Sequence, residues 1–170
     1  MLRVGRGGSR CAVMGLILTW EKLSEWREEQ RKGGHRVVAT NGCFDLLHVG
    51  HVRFLQEAKK RGDLLIVGVN GDRSVRELKG EGRPVNGEAD RAEVVAGLGC
   101  VDAVVIFSEK RATEFLRAVR PEVYVKGGDY QADQLDKDEV VAVKEGGGEV
   151  QVLALTPGRS TTAVLKKLKT

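Results

Sequence analysis

Short, nearly continuous apolar runs alternate along the chain with segments of helical periodicity. The runs at about Arg36–Thr40, Leu64–Val69, Ala103–Phe107, Val123–Val125 and Glu149–Leu155 have the length and β-branched content of strands. Between them the apolar positions recur every three or four residues. Trp20, Leu23 and Trp26 share a face of a helix predicted over Trp20–Arg31, with Thr19 as its cap and Gly33 and Gly34 as its stop. Val52, Leu55 and Ala58 align in a second helix over Val49–Arg61. A third starts after Asn86, which reads as its cap, carries Glu88 and Asp90 in its first turn and ends near Gly99. Further helices are predicted over Ala112–Val119, stopped by Pro121, over Lys137–Glu145, and from Ser160 onward. Asn70–Val85 is polar and basic, with three glycines and a proline, and reads as a long loop.

Strands that are apolar throughout, alternating with helices, predict a parallel sheet covered on both faces. The expected fold is therefore α/β: a Rossmann-like doubly wound parallel sheet of about five strands with helices on both faces. In such sheets ligands sit beyond the carboxyl ends of the strands, where the strand order reverses. Three loops with chemistry in them leave carboxyl ends: Asn41–His51, Lys126–Tyr130 and Thr156–Thr162.

The first of these loops contains two of the three histidines, His48 and His51, with Gly50 between them. A strand, a Gly-containing turn and a helix N-terminus form a common phosphate site, because the first helical N–H groups lack partners. Neither Gly-x-x-x-x-Gly-Lys-Ser/Thr nor Gly-x-Gly-x-x-Gly follows the first strand, which argues against a P-loop and an ordinary dinucleotide site. The plain alternative for the histidines is helix capping or exposure to solvent. A metal site from Cys43, Asp45, His48 and His51 has the right residue types, but the spacing fits no usual zinc pattern. Gly127, Gly128 and Asp129 read either as a turn with an Asx cap or as a close approach of backbone to ligand, with a carboxylate for ribose hydroxyls. Arg159, Ser160, Thr161 and Thr162 read either as an ordinary helix start or as a second phosphate site. Lys79 and Arg83 are solvated loop charges or phosphate partners.

Composition narrows the class only slightly. The 170 residues are 41% hydrophobic and 31% charged, ordinary for a globular domain. A net charge of +4 is too small to imply nucleic-acid binding, and no apolar run reaches the roughly 20 residues of a membrane span. Three widely spaced cysteines suggest free thiols in a reducing cytoplasm. Residues 1–13 are Gly- and Arg-rich without an apolar signal core, and are expected to be a disordered leader or extension, with Met14 as a natural start. Residues 14–170 are expected to form one domain.

With these motifs assembled, the chain resembles the cytidylyltransferase-like nucleotidyltransferases. The carriers are Thr-Asn-Gly-Cys-Phe-Asp before His-Val-Gly-His, and Arg-Ser-Thr-Thr before the last helix. More narrowly, Thr40–Val52, Leu78–Val85, Val125–Tyr130 and Gly158–Thr162 resemble the D-glycero-D-manno-heptose 1-phosphate adenylyltransferases, and the likeness runs from about Leu18 to Lys169. That group occurs as separate proteins or as half of a bifunctional kinase–adenylyltransferase.

The resemblance implies transfer of AMP from ATP, with Mg2+, to a heptose 1-phosphate. It implies His48, His51 and Lys79 as catalytic residues. Asn41, Gly42, Cys43, Phe44, Gly50, Gly128, Asp129, Arg159, Ser160, Thr161 and Thr162 would bind the nucleotide. Asp45, Arg83 and Lys126 would face the acceptor, Asp45 alternatively supporting the turn or the metal, and no residue is assigned as a metal ligand. Arg159 departs from the pattern, since many relatives have an aliphatic residue there. The expected partners are ATP and a sugar 1-phosphate, with neither nucleic acid nor membrane; a homodimer and a separate sugar kinase are further expectations. Cousins acting on glycerol 3-phosphate, FMN, phosphopantetheine or nicotinamide mononucleotide, a non-catalytic nucleotide-binding module, and a metal-dependent hydrolase are the alternatives.

Overall fold

The computed structural model describes residues 14–128 and 135–154, together with Thr161. Its elements run β1 (Leu16–Leu18), α1 (Trp20–Lys32), β2 (Val37–Gly42), α2 (Val49–Lys59), β3 (Leu64–Asn70), α3 (Asp72–Lys79), α4 (Glu88–Ala96), β4 (Ala103–Phe107), α5 (Thr113–Val119), β5 (Val123–Gly127), α6 (Lys137–Glu145) and β6 (Glu149–Leu153). All described strands pair in parallel in one sheet, in the order β1-β4-β3-β2-β5-β6. From β2 the chain moves outward through β3 to β4, then returns to the other side of β2 for β5 and β6. The strand order therefore reverses between β2 and β5, and the crevice beyond their carboxyl ends is where such a sheet binds its ligand.

Alternation along each strand sorts the side chains into two cores. Val37, Ala39, Ile66, Val105 and Tyr124 face α1, α5 and α6. Val38, Leu65, Val67, Val104 and Val125 face α2 and α4. Both sets are almost wholly buried, as a doubly covered sheet requires. Gly68 in the middle of β3 makes room for one of these layers: a Cβ there would lie 3.0 Å from Phe115 and 3.1 Å from Phe107, whose rings stack at 5.8 Å.

The expected fold class holds, with corrections in its elements. Among the described residues the sheet has six strands, where about five are expected. The added one, β1, is a three-residue edge strand whose Leu16 and Ile17 are exposed, too short to register as a pattern. The expected loop over Asn70–Val85 contains helix α3. Only Val75 and Leu78 are apolar in its eight residues, too few for a repeating apolar stripe to stand out. It is ordered instead by charge, with Asp72 in its first turn, Arg76 and Lys79 in its last, and the Glu88 carboxylate accepting from the Asp72 amide at 2.7 Å. Asn86 does not cap α4; Gly87 does, because the Asn86 side chain donates to the Asp45 carbonyl at 2.8 Å. Thr19 holds the cap position of α1 without a capping hydrogen bond from its side chain. The predicted leader over residues 1–13 and the last helix, apart from helical Thr161, lie outside the described residues. Among the described residues no helix is long and apolar enough to cross a membrane.

Candidate active site

A cleft of about 490 Å³ opens at the β2–β5 switch point. Its walls include Asn41 to Asp45 after β2, His51 on α2, Leu78 and Lys79 at the end of α3, Arg83, Lys126 and Gly127 on β5, Glu139 on α6, and Thr161. Three loop regions widely separated in sequence thus meet at one place.

The turn from β2 into α2 is built on an unusual residue. Phe44 has a φ of +46°, a left-handed conformation that costs an L-residue roughly 1–2 kcal/mol. Its ring is 6% exposed, and its burial offsets that strain. The ring lies over Gly42, where a Cβ would approach it to 2.9 Å, and packs against His51 at 5.4 Å between centroids. Gly42 is therefore required by the close approach of Phe44.

The two histidines form a capping box. His48 is the N-cap of α2, and its Nδ1 accepts from the Gly50 amide at 3.1 Å. The Nδ1 of His51 accepts in turn from the His48 amide over a long 3.4 Å. With both Nδ1 atoms accepting, each neutral ring carries its proton on Nε2 and offers that N–H as a donor. The rings pack at 3.9 Å. Capping and donation are thus two uses of the same side chains. His51 lines the cleft, while His48 and Gly50 are not among the lining residues.

Burial pushes the His48 imidazole below its usual range, and burial followed by the neighbouring His48 lowers His51 to about 4. Both rings are neutral donors at pH 7. Below about pH 6.5 an unfolded chain takes up protons that the folded His51 still refuses, so the folded state loses ground as pH falls from about 6.5 toward 4. Urea midpoints measured from pH 7 to pH 4.5 are expected to fall, and a His51→Phe variant, which keeps a ring without a titrating group, should show a shallower decline. Equal slopes in the two proteins would contradict this.

Asp45 is 4% exposed and fully engaged. It accepts from Arg83 Nε at 2.5 Å and from the Val85 and Asn86 amides at 2.7 and 3.1 Å. Burial alone would raise its pKa; the Asn86 and Val85 amides and the Arg83 guanidinium outweigh burial and hold it below the usual carboxylate value. Asp45 therefore ties the Arg83–Asn86 loop to the β2–α2 turn. Burial raises the Cys43 thiol, keeping it protonated. Among the described residues no three His, Cys, Asp or Glu side chains gather as a metal site.

Three residues with no assigned role in the sequence organise the walls. Arg91 is 1% exposed and donates to the Cys43 carbonyl at 2.5 Å, the Asn86 carbonyl at 3.0 Å and the Asp72 carboxylate at 2.8 Å. Glu139 binds Lys126 at 2.8 Å and the Tyr124 hydroxyl at 2.9 Å. Tyr124 also meets Asn41 Oδ1 at 2.6 Å. A helical reading gave a usable signal for two of them: Arg91 sits in phase with Ala92, Val95 and Ala96, and Glu139 in phase with Ala142 and Val143, so each is a charge at a core position. Asn70, Leu78 and Lys110 also line the cleft or its rim. Gly128 does not appear in the lining, and Asp129, Arg159, Ser160 and Thr162 lie outside the described residues.

Among the described lining residues both carboxylates are spent internally, Asp45 on Arg83 and Glu139 on Lys126, and Asn41 Oδ1 is taken by Tyr124 and Lys126. The charge left for a ligand is positive, on Lys79 and Lys110, and the donors include the Nε2–H of His51, the amide N–H2 of Asn41 and the unused N–H groups of Arg83 and Lys126. Such a surface suits a polyanion.

Comparison with known proteins agrees with this geometry. The bifunctional protein HldE of Geotalea uraniireducens is 50% identical over 154 residues, covering 91% of this chain and 31% of that protein. The protein of the same name from Pseudomonas aeruginosa strain PAO1 is 49% identical over 162 residues, covering 95% of this chain and 33% of its own length. The chain thus spans about a third of the length of the curated relatives it matches. Among solved structures, the lipopolysaccharide core biosynthesis protein from Thermoplasma volcanium superposes with a TM-score of 0.60 at 28% identity, over 72% of this chain and 98% of that one. Pantoate-beta-alanine ligase from Francisella tularensis shares the fold, with a TM-score of 0.56 at 14% identity over 90% of this chain and 73% of that one. The family model described as cytidylyltransferase-like matches residues 39–167, three-quarters of the sequence and every wall of the cleft, and the chain belongs to that family.

Proposed function

We propose that this domain transfers AMP from ATP to a heptose 1-phosphate, giving an ADP-heptose and pyrophosphate. The observation that carries this reading is the cleft at the switch point, whose described carboxylates are paired with cations and whose wall holds His51, Lys79 and Lys110. Two phosphorylated reactants must be held together there, and a wall whose described carboxylates are already paired does so without a free negative charge to repel either.

The reaction needs little proton chemistry. A sugar phosphate has its second pKa near 6 and is largely a dianion at neutral pH. One of its oxygens forms a bond to the α-phosphorus as the bond from that phosphorus to the β-bridging oxygen breaks, and pyrophosphate leaves with the electron pair. The chain supplies position and charge. His51, packed against His48, donates to phosphate oxygens through Nε2–H. Lys79 and Arg83 offset charge from the α3 side and Lys126 from β5, while Asn41 at the end of β2 donates its amide. Asp129 and the Arg159–Thr162 run border the nucleotide in this reading, on the strength of the sequence resemblance.

Bound with the nucleotide, Mg2+ would supply charge neutralisation to the triphosphate. Among the described cleft residues both carboxylates, Asp45 and Glu139, are already paired with cations. That donor set fits a metal carried by phosphates and water instead of by a protein cage.

The choice of sugar is supported by the HldE relatives at about half identity and by the surface-polysaccharide theme in the name of the Thermoplasma volcanium neighbour. The sugar 1-phosphate would come from a kinase site separate from this domain, and a cytoplasmic setting fits a domain that consumes ATP. Pyrophosphate release measured across four nucleoside triphosphates and several phosphorylated acceptors tests the proposal. ATP with a heptose 1-phosphate is expected to be fastest. CTP with glycerol 3-phosphate as the best pair would move the chain to a neighbouring branch, and no release with any pair would leave only a nucleotide-binding module.

A further inference from the structure

A cleft that attracts anions has a buried carboxylate in its wall. Glu139 is 4% exposed and contributes no free acceptor to a ligand. Its Oε1 takes the Ala112 amide at 3.0 Å, and its Oε2 takes Lys126 Nζ at 2.8 Å and the Tyr124 hydroxyl at 2.9 Å. Electrostatically it works against anion binding, because it neutralises Lys126. Its presence calls for a benefit of another kind.

Geometry supplies one. A lysine ammonium sits on four rotatable bonds and is a poorly placed donor when unrestrained. Here Lys126 Nζ is held between Glu139 Oε2 and Asn41 Oδ1, the latter at 3.3 Å. Lysine can only donate, so the Asn41 atom it meets must be the oxygen, and the Asn41 N–H2 is thereby turned away from the network. Tyr124 has one hydroxyl proton for two acceptors, Asn41 Oδ1 at 2.6 Å and Glu139 Oε2 at 2.9 Å, and so couples the two. Asn41 ends β2, Lys126 nears the end of β5, and Glu139 comes from α6. The network thus spans the strand-order reversal that forms the cleft.

We propose that Glu139 is a positioning residue for the transfer reaction: it clamps Lys126 and, through Tyr124, orients the Asn41 amide, so that both donors meet the reactants in one fixed arrangement. This rests on the proposed function. A merely structural role would have Glu139 staple α6 and the start of α5 to the sheet, with no consequence for the reacting groups.

The variant Glu139→Gln keeps the volume and an acceptor for the Ala112 amide but removes the charge. Its turnover of ATP and sugar 1-phosphate, measured at a temperature where circular dichroism shows the variant folded, is expected to fall roughly 10- to 100-fold, the scale of a small misplacement of a catalytic donor. Combined with Lys126→Met, it should lose little more than the slower single variant, because both act on one element. Independently of turnover, acetylation of Lys126 by a small acylating reagent, followed by peptide mass spectrometry, should be faster in Glu139→Gln, since the ammonium is released from its clamp. Parent-like turnover, or losses that multiply in the double variant, overturns the positioning role. If the parent itself shows no pyrophosphate release, the proposed reaction falls; the acetylation rates then decide, and equal rates overturn the clamp.

Discussion

Replacing His51 with alanine is expected to lower pyrophosphate release roughly 10²–10³-fold, the loss typical of removing one preorganised donor to developing charge. The affinity for ATP should change far less, because a donor that matters most in the transition state contributes little to ground-state binding. The expectation rests on the tautomer. His51 Nδ1 accepts from the His48 amide, and the neutral ring keeps its proton on Nε2, on the residue that faces the cleft. Burial holds that ring neutral, so the donor is in place before substrate arrives and needs no protonation step. His51 also packs on Phe44 and His48, so its removal carries a folding cost as well. Assays well below the melting temperature, with the folded fraction checked by circular dichroism, separate the two effects. A folded His51→Ala protein with undiminished turnover would contradict the mechanism.

How far the chain announced this arrangement depends on the kind of signal involved. Strands β2 to β6 and helices α1, α2, α5 and α6 follow from apolar periodicity, because each buries a stripe or a whole face. Helix α3 buries only Ser74 and Val75 and is held by end charges, so periodicity missed it. Strand β1 is three residues long at a sheet edge, and its exposed leucine and isoleucine carry no alternation. Around the cleft, the residues at the ends of β2 and β5 were legible, since glycines and histidines after an apolar run stand out. What was hidden is the wiring between them. Asp45 looked equally suited to a substrate, a metal or the turn, and only its three donors, all from the Arg83–Asn86 loop, reveal the loop it fastens. Arg91 and Glu139 belong to no motif, and their one signal in the chain is a helical phase shared with buried neighbours.

Arg91→Ala is expected to be among the most destabilising single changes in the described part of the molecule, at about 3 kcal/mol, and to impair turnover as well. The side chain is 1% exposed and joins three segments that wall the cleft: the Cys43 carbonyl after β2, the Asn86 carbonyl before α4 and the Asp72 carboxylate at the start of α3. Alanine would leave two carbonyls without their charged donor and open a cavity beneath Phe44 and Asp45, which line the adjoining hollow with Arg91. Lysine cannot restore the site, because one ammonium does not reproduce a planar fork with three directions. Arg27 provides the control. It is 4% exposed and binds the Val119 and Arg120 carbonyls and Glu122, while Glu122 in turn accepts from the Val37 amide at the amino-terminal edge of the sheet, away from the cleft. Arg27→Ala should therefore lose comparable stability, read as a lower urea midpoint, yet keep parent turnover at temperatures where it is folded. Arg91→Ala should lose both, since the β2–α2 turn that carries His51 is no longer tied to α3 and α4. Equal turnover in the two folded variants would show that Arg91 serves stability alone and that the turn holds its shape without it.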